Sequence, residues 1–226
     1  MTAIREFYNQ LQFPGTYTLA GLDYHHPKIR NPYLKIIDNH LSDGISVLDV
    51  GCGTGLITNL FARRYNNSEF VGIEFADSVE YARQFAHSHA ISNVNFFKQD
   101  FVLTTTIPQY DVVICQGVLH HIPDHKIASD LLAAMTRPGG KLILAVYHPL
   151  GKLLKKLITI NYRNDILRQD QELHPYETSF TPGQISKLFP NFCIVDSYPK
   201  NCININAIIN SRNGGLTTYI LEKNNV

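Results

Sequence analysis

Long apolar runs are absent from the 226-residue chain. A membrane-spanning helix needs about 18 or more consecutive apolar residues, so no membrane span is expected. Cysteine is scarce and scattered. The four residues at 52, 115, 193 and 202 form no Cys-x-x-Cys pair, which argues against a disulfide framework or a zinc site and fits a reducing cytoplasm, the expected location. A charge excess is missing too: the net charge is +1 with 17% charged residues, so no global field draws the chain to nucleic acid. Arg5 and Glu6 precede any apolar run, against a secretory leader. No internal repeat interrupts the chain. What is there is 44% apolar residues, ordinary for one globular domain with a sizeable core.

The stretch Ser46-Val-Leu-Asp-Val-Gly-Cys-Gly-Thr-Gly55 organises the rest. Val47, Leu48 and Val50 read as a strand buried on both faces. The run breaks at Gly51, Gly53 and Gly55, and Leu56, Ile57, Leu60 and Phe61 follow with helical spacing. Strand, glycine turn and helix form a binding corner, where backbone approaches a ligand closely and helix N–H groups face it. The spacing is G-x-G-x-G with no following Lys, which matches neither the dinucleotide fingerprint nor the phosphate loop. Asp49, inside the strand, repels phosphate and suits a cation or an amino group.

Downstream, strands and helices alternate. Phe70–Ile73 reads as a strand ending in Glu74, an acid placed about twenty residues after the turn to accept from ribose hydroxyls. Asp77 is expected to cap a helix whose buried stripe is Val79, Ala82, Phe85, Ala86 and Ala90. Residues 93–98 and 110–115 read as further strands, leading into Asp100–Phe101 and into Gln116-Gly-Val-Leu-His-His-Ile-Pro-Asp124. A helix over 126–136, a turn at Arg137-Pro-Gly-Gly140, and a strand over 141–146 complete the core. Such alternation implies right-handed crossovers and ligands at the carboxyl ends of the strands.

Val47-Leu-Asp-Val-Gly-Cys-Gly-Thr-Gly55 closely resembles the first motif of class I S-adenosylmethionine (SAM)-dependent methyltransferases. The segment Val118-Leu-His-His-Ile-Pro-Asp124 is similar to a motif of the small-molecule branch of that family, and the Arg137–Gly140 turn is another of its hallmarks. The resemblance covers residues 46–146. It implies an α/β, Rossmann-like doubly wound sheet, seven-stranded and mostly parallel with an antiparallel last strand, helices on both faces. It also implies SAM as cofactor and S-adenosylhomocysteine (SAH) as product. Asp49, Gly51, Cys52, Gly53 and Gly55 are expected at the cofactor, with Glu74 and Phe75 at the ribose. Asp100 would bond the adenine amino group with Phe101 against the ring, and Gln116, Gly117, Val118 and His121 would line the remaining wall. The Asn/Asp-Pro-Pro-Tyr sequence of exocyclic-amine enzymes and the Pro-Cys pair of pyrimidine C5 enzymes are absent.

One domain is expected over residues 1–226. Residues 1–45 form an N-terminal extension, 46–146 the SAM-binding core, 147–180 a substrate-pocket insertion, and 181–226 a C-terminal helix and strands. In the extension, Tyr8 and Tyr17 either reach the substrate or pack on the core. Tyr147, His148 and His174 are further substrate-side candidates. The segment from Lys152 to Ile160 is amphipathic and suits a lid over the substrate or a membrane surface. Residues 182–188 read as a helix capped by Thr181, and 193–198 and 216–223 as the last strands.

Methyl transfer from a sulfonium is an in-line displacement, so positioning and exclusion of water carry most of it. A base is needed only where the acceptor loses a proton. His121, His120 and His148 are the candidates, since imidazole titrates near neutrality; packing beside the cofactor is their alternative role. Adjacent histidines cannot share a helical face, so no metal is expected. These readings converge on an enzyme methylating an oxygen or nitrogen of a small-molecule acceptor, acting as a monomer or homodimer. A tRNA-base or peptide methyltransferase, with Lys141, Lys152, Lys155, Lys156, Arg163 and Arg168 as its basic face, and a non-catalytic SAM-binding regulator are the competing readings.

Overall fold

A computed structural model describes residues 6–9, 13–18, 31–158, 176–200 and 215–225. Seven strands form one sheet: β1 (Ser46–Val50), β2 (Glu69–Glu74), β3 (Val94–Lys98), β4 (Tyr110–Gln116), β5 (Thr136–Tyr147), β6 (Phe192–Tyr198) and β7 (Leu216–Lys223). Their order is β3-β2-β1-β4-β5-β7-β6. The first five are parallel neighbours, and β7 runs antiparallel between β5 and β6. This is the expected Rossmann-like sheet. Among the described residues, besides a helical segment at residues 6–9, six α-helices surround it: α1 (Pro32–Asp38), α2 (Leu56–Arg64), α3 (Ser78–Ser88), α4 (His125–Met135), α5 (Pro149–Ile158) and α6 (Pro182–Leu188). None of them is long and apolar enough to cross a membrane.

Strand side chains alternate between two cores, which is why the strands read as continuous apolar runs. Val47, Val112, Ile143 and Ile220 pack with Ile37 of α1, Phe61 of α2 and Val79 of α3. Leu48, Val113, Leu142 and Leu221 pack on the other face with Leu132 of α4 and Ile185 of α6. Crossovers from β1 to β2 and from β4 to β5 therefore lie on opposite faces. The strand order reverses between β1 and β4, and the crevice at their carboxyl ends is where a doubly wound sheet binds its ligand.

Three local expectations need correction. Residues 136–140 enter β5 itself rather than forming a separate turn. Thr136 pairs with Tyr110, the register then shifts, and Gly139 takes φ +71° to absorb the extra residues. Asp77 occupies the N-cap position of α3, but its side chain makes no capping bond and pairs instead with Lys98. Ala90 is exposed and lies past the end of α3, outside the expected buried stripe.

Ala90 ends α3 in the left-handed region at φ +52°. Its N–H donates to the His87 carbonyl (3.3 Å) and that of Ile91 to the Ala86 carbonyl (3.0 Å), a Schellman closure that glycine normally serves. A left-handed alanine costs about 1–2 kcal/mol, partly offset by the lower chain entropy of alanine when unfolded. Ala90→Gly is thus expected to stabilise the fold by about 0.5–1 kcal/mol, read as a higher thermal midpoint; a lowered midpoint contradicts the cap.

Candidate active site at the carboxyl ends of the sheet

The glycine turn is stitched to the end of β2. Gly51 N–H and Cys52 N–H both donate to the Ile73 carbonyl, at 2.8 and 3.1 Å. Gly53 N–H donates to Glu74 Oε2 at 3.0 Å, and Ala76 N–H to Glu74 Oε1 at 2.9 Å. Glu74 thus closes the turn while the residue stays 7% exposed. Burial raises its pKa, only partly offset by the N–H donors from Ala76, Gly53 and Phe75, and Asp100 adds to the rise.

Glycine is required at all three turn positions, and Gly53 and Gly55 each serve a close approach. Gly53 has φ +55°, and a Cβ there would lie 2.2 Å from the Phe13 carbonyl oxygen. Gly55, at φ +77°, would drive a Cβ to 2.5 Å from Cβ of Ala82 on α3. The first permits the backbone of residues 13–18 to cross the turn; the second permits α2 to approach α3.

Asp49 lies beneath the turn and is 3% exposed. Its Oδ2 accepts from Thr58 Oγ1 of α2 at 2.6 Å. Burial, assisted by Glu74, pushes its pKa up to about 7 despite the Thr58 bond. Rather than reaching into open space, Asp49 ties α2 to β1 and sets the charge under the turn. Cys52 is also buried, and its thiol is raised by burial and by Asp49 and Glu74, so it stays protonated.

At the end of β3, Asp100 caps the short helix Phe101–Leu103 by accepting from Val102 N–H at 3.2 Å, and Phe101 is buried. At the end of β4, Gly117 has φ +76° with no atom within 4 Å of the position a Cβ would take. Gln116 Nε2 is buried with no hydrogen-bond partner among the described residues. Val118 packs on Gly51, its Cγ2 lying 2.3 Å from where a Cβ would be.

The histidine pair follows on the short helix Leu119–His121. His120 and His121 are 1% and 6% exposed, their rings 4.2 Å apart. His121 Nδ1 lies 3.2 Å from the Tyr176 carbonyl; donation there in the neutral ring leaves Nε2 as the acceptor. Tyr147, at the end of β5, stands 4.2 Å from the His120 ring and 6.3 Å from that of His121. Tyr8 lies 6.2 Å from His121 and 6.0 Å from Phe75. Phe75, Tyr8, His121 and Tyr147 therefore make one aromatic wall from the end of β2 to the end of β5. His148 follows Tyr147; burial lowers its pKa, and its Nδ1 is buried without a partner among the described residues.

Tyr17 is placed elsewhere. Its hydroxyl donates to the Thr54 carbonyl (2.9 Å) and accepts from Asn59 Nδ2 (2.8 Å), and its ring packs on Phe85. It anchors the N-terminal strap, its hydroxyl proton committed to the Thr54 carbonyl. Asp124 caps α4 through Ile127 N–H. His174, Arg163 and Arg168 lie outside the described residues, as do the side chains of Lys155 and Lys156. Three features were missed in the sequence: Thr58 under Asp49, the Phe13–Gly15 strap on Thr54, and the ion pair of Lys152 with Glu177.

The donor set fits a nucleoside carrying an amino-acid tail and a cation. Acidic groups converge at the ends of β1, β2 and β3, and a buried amide donor at the end of β4 lacks an acceptor among the described residues. Comparison with known proteins agrees. A family model described as "Methyltransferase domain" matches residues 41–203. A ubiquinone biosynthesis O-methyltransferase of Coxiella burnetii is 28% identical over 158 residues, 68% of this chain and 65% of that protein's own length. The chain thus matches about two thirds of that relative. The crystal structure of magnesium protoporphyrin IX methyltransferase from Synechocystis PCC 6803 with bound SAH superposes with a TM-score of 0.65 at 19% identity, covering 99% of both chains. An N-methyltransferase of Bradyrhizobium japonicum WM9 in complex with SAH gives 0.63 at 14% identity, with 98% of both chains covered.

Proposed function

The chain belongs to the methyltransferase-domain family, in its class I SAM-dependent division, and from that premise we propose that it methylates an oxygen of a small hydroxylated aromatic acceptor. The observation that carries the choice of acceptor is the aromatic wall of Phe75, Tyr8, His121 and Tyr147, which suits a planar ring. The name of the Coxiella burnetii relative, an O-methyltransferase of ubiquinone biosynthesis, points the same way.

When bound, SAM supplies a methyl group on a sulfonium, an electrophile that needs no further activation. Glu74 and Phe75 would hold its ribose, Asp100 and Phe101 its adenine, and Gln116 with the turn from Gly51 to Gly55 its amino-acid tail. Asp49 contributes negative charge beneath the turn without direct exposure. His121 Nε2 is placed to receive the acceptor's hydroxyl proton, with the Tyr176 carbonyl fixing the tautomer, as a base must be fixed to act. His120 supports the ring of His121 and that of Tyr147. His148 is the second base candidate, its pKa lowered by burial. The buried histidine pair and the wall exclude water, which strengthens every charge interaction in the site.

The test is incubation with methyl-labelled SAM and, in parallel, catechol, phenol, a primary aromatic amine and bulk tRNA, with products resolved by mass spectrometry. Label in an aryl methyl ether is the expected result. Label confined to the amine overturns the oxygen assignment, and label confined to tRNA overturns the small-molecule reading.

A further inference from the structure

Beyond the histidine pair, residues 176–180 cross the carboxyl ends of β4 and β5. Thr178 N–H donates to the His120 carbonyl (3.0 Å) and Phe180 N–H to the Tyr147 carbonyl (2.8 Å). The Tyr176 carbonyl meets His121 Nδ1. Glu177 is therefore carried on backbone fixed on both sides to the site. Its side chain is only 7% exposed. One carboxylate oxygen, Oε1, pairs with Lys152 of α5; the other, Oε2, is buried with no hydrogen-bond partner among the described residues. Lys152 Nζ also lies 5.5 Å from the centre of the Tyr147 ring, a cation–π contact. The pair thus lies beside the Tyr147 ring, which also borders His120 at 4.2 Å.

Leaving a carboxylate oxygen buried and unbonded is costly, and such groups in native proteins generally have a partner. A structural ion pair alone would not require one oxygen to be kept bare. Lys152 balances the charge and, through Oε1, fixes the plane of the carboxylate, so that Oε2 has one direction in which to accept.

Resting on the proposed reading of the site, we propose that Glu177 is an acceptor-binding and specificity-determining residue. Its Oε2 accepts a hydrogen bond from a second polar hydrogen of the acceptor, beside the oxygen that is methylated, and Lys152 is its positioning residue. The acceptor then lies against Tyr147, gripped at one substituent by Glu177 while its neighbour faces His121. Acceptors with a single hydroxyl lose that grip. Discrimination is strong when a buried polar group is left unpaired by the wrong ligand.

The test uses the full chain saturated with SAH and calorimetric titration of catechol and of phenol, a readout independent of turnover. The wild-type protein is expected to bind catechol at least ten-fold more tightly than phenol. Glu177→Gln should erase that preference while leaving phenol and SAH affinities within about two-fold, and Glu177→Asp should restore part of it. Lys152→Met should lessen the preference without changing SAH affinity. A preference for catechol that survives in Glu177→Gln overturns the proposal and leaves the oxygen-acceptor reading standing. Equal losses of SAH and catechol affinity in Glu177→Gln make the pair structural and overturn it as well. Wild-type protein that binds SAH and rejects both catechol and phenol overturns the hydroxylated-aromatic reading itself.

Discussion

Glu74→Ala is expected to weaken SAM binding by about 100-fold or more and to lower the stability of the SAM-free protein as well. The second effect follows from where the carboxylate sits. Glu74 Oε2 and Oε1 accept from Gly53 N–H and Ala76 N–H at 3.0 and 2.9 Å. An alanine leaves both donors without that partner, at about 1–3 kcal/mol each where water cannot replace it. The glycine turn then keeps its two N–H bonds to the Ile73 carbonyl of β2. Ribose recognition, the proposed role, is lost at the same time, since alanine has no acceptor for the two hydroxyls. Glu74→Gln separates the contributions. Its amide oxygen keeps one N–H partner, so most of the stability should return, while the loss of charge keeps SAM affinity low. Calorimetry with SAM and thermal melts of the same samples give both numbers. Wild-type affinity in Glu74→Ala would remove Glu74 from the ribose.

The architecture was legible because the strands carry two independent periodicities of apolar residues and the turns carry glycine where positive φ is needed. Val47 and Leu48 face different cores, and that requirement wrote an unbroken apolar run into the sequence. Thr181 and Pro182 announced α6, which the structure caps through a full capping box. The site was less legible. Asp49 and Glu74 were found by position, but the bonding of each was not: Thr58 is an ordinary helical residue until the fold brings it under Asp49. Tyr17 and Tyr8 look alike in sequence, and only tertiary contacts place one on α2 and α3 and the other on His121. Glu177 carries no motif. It is 25 residues from Lys152, and burial alone distinguishes it from a surface carboxylate. Ala90 escaped for the opposite reason, because its helical spacing was right and its backbone conformation was not.

Asp49 makes the stability of the SAM-free protein fall as pH rises, the reverse of the usual carboxylate. Its native pKa is about 7 against 3.8 for the free side chain. Between those values the folded chain holds a proton that the unfolded chain has released, so stability is fullest below about pH 4 on account of this group, declines above it, and levels off above about pH 7. The span corresponds to a contribution on the order of 4 kcal/mol. Glu74, also raised by burial, has the same sign and leaves a residual slope when Asp49 is removed. Asp49→Asn retains an oxygen to accept from Thr58 and carries no charge. It should therefore melt at a higher temperature than the wild type at pH 8, converge with it near pH 4, and show a shallower dependence between. The ligand responds in the opposite sense. SAM brings positive charge to a turn lying directly above Asp49, so its binding favours the ionised carboxylate, and reciprocity requires that ionisation favour binding. Wild-type SAM affinity should rise with pH through about 7 with release of a proton, measurable as a buffer-dependent binding enthalpy, and both effects should be lost in Asp49→Asn. A wild-type stability that does not fall from pH 5 to 8, with a pH dependence unchanged by Asp49→Asn, would instead mean that the carboxylate is ionised throughout and that Thr58 outweighs its burial.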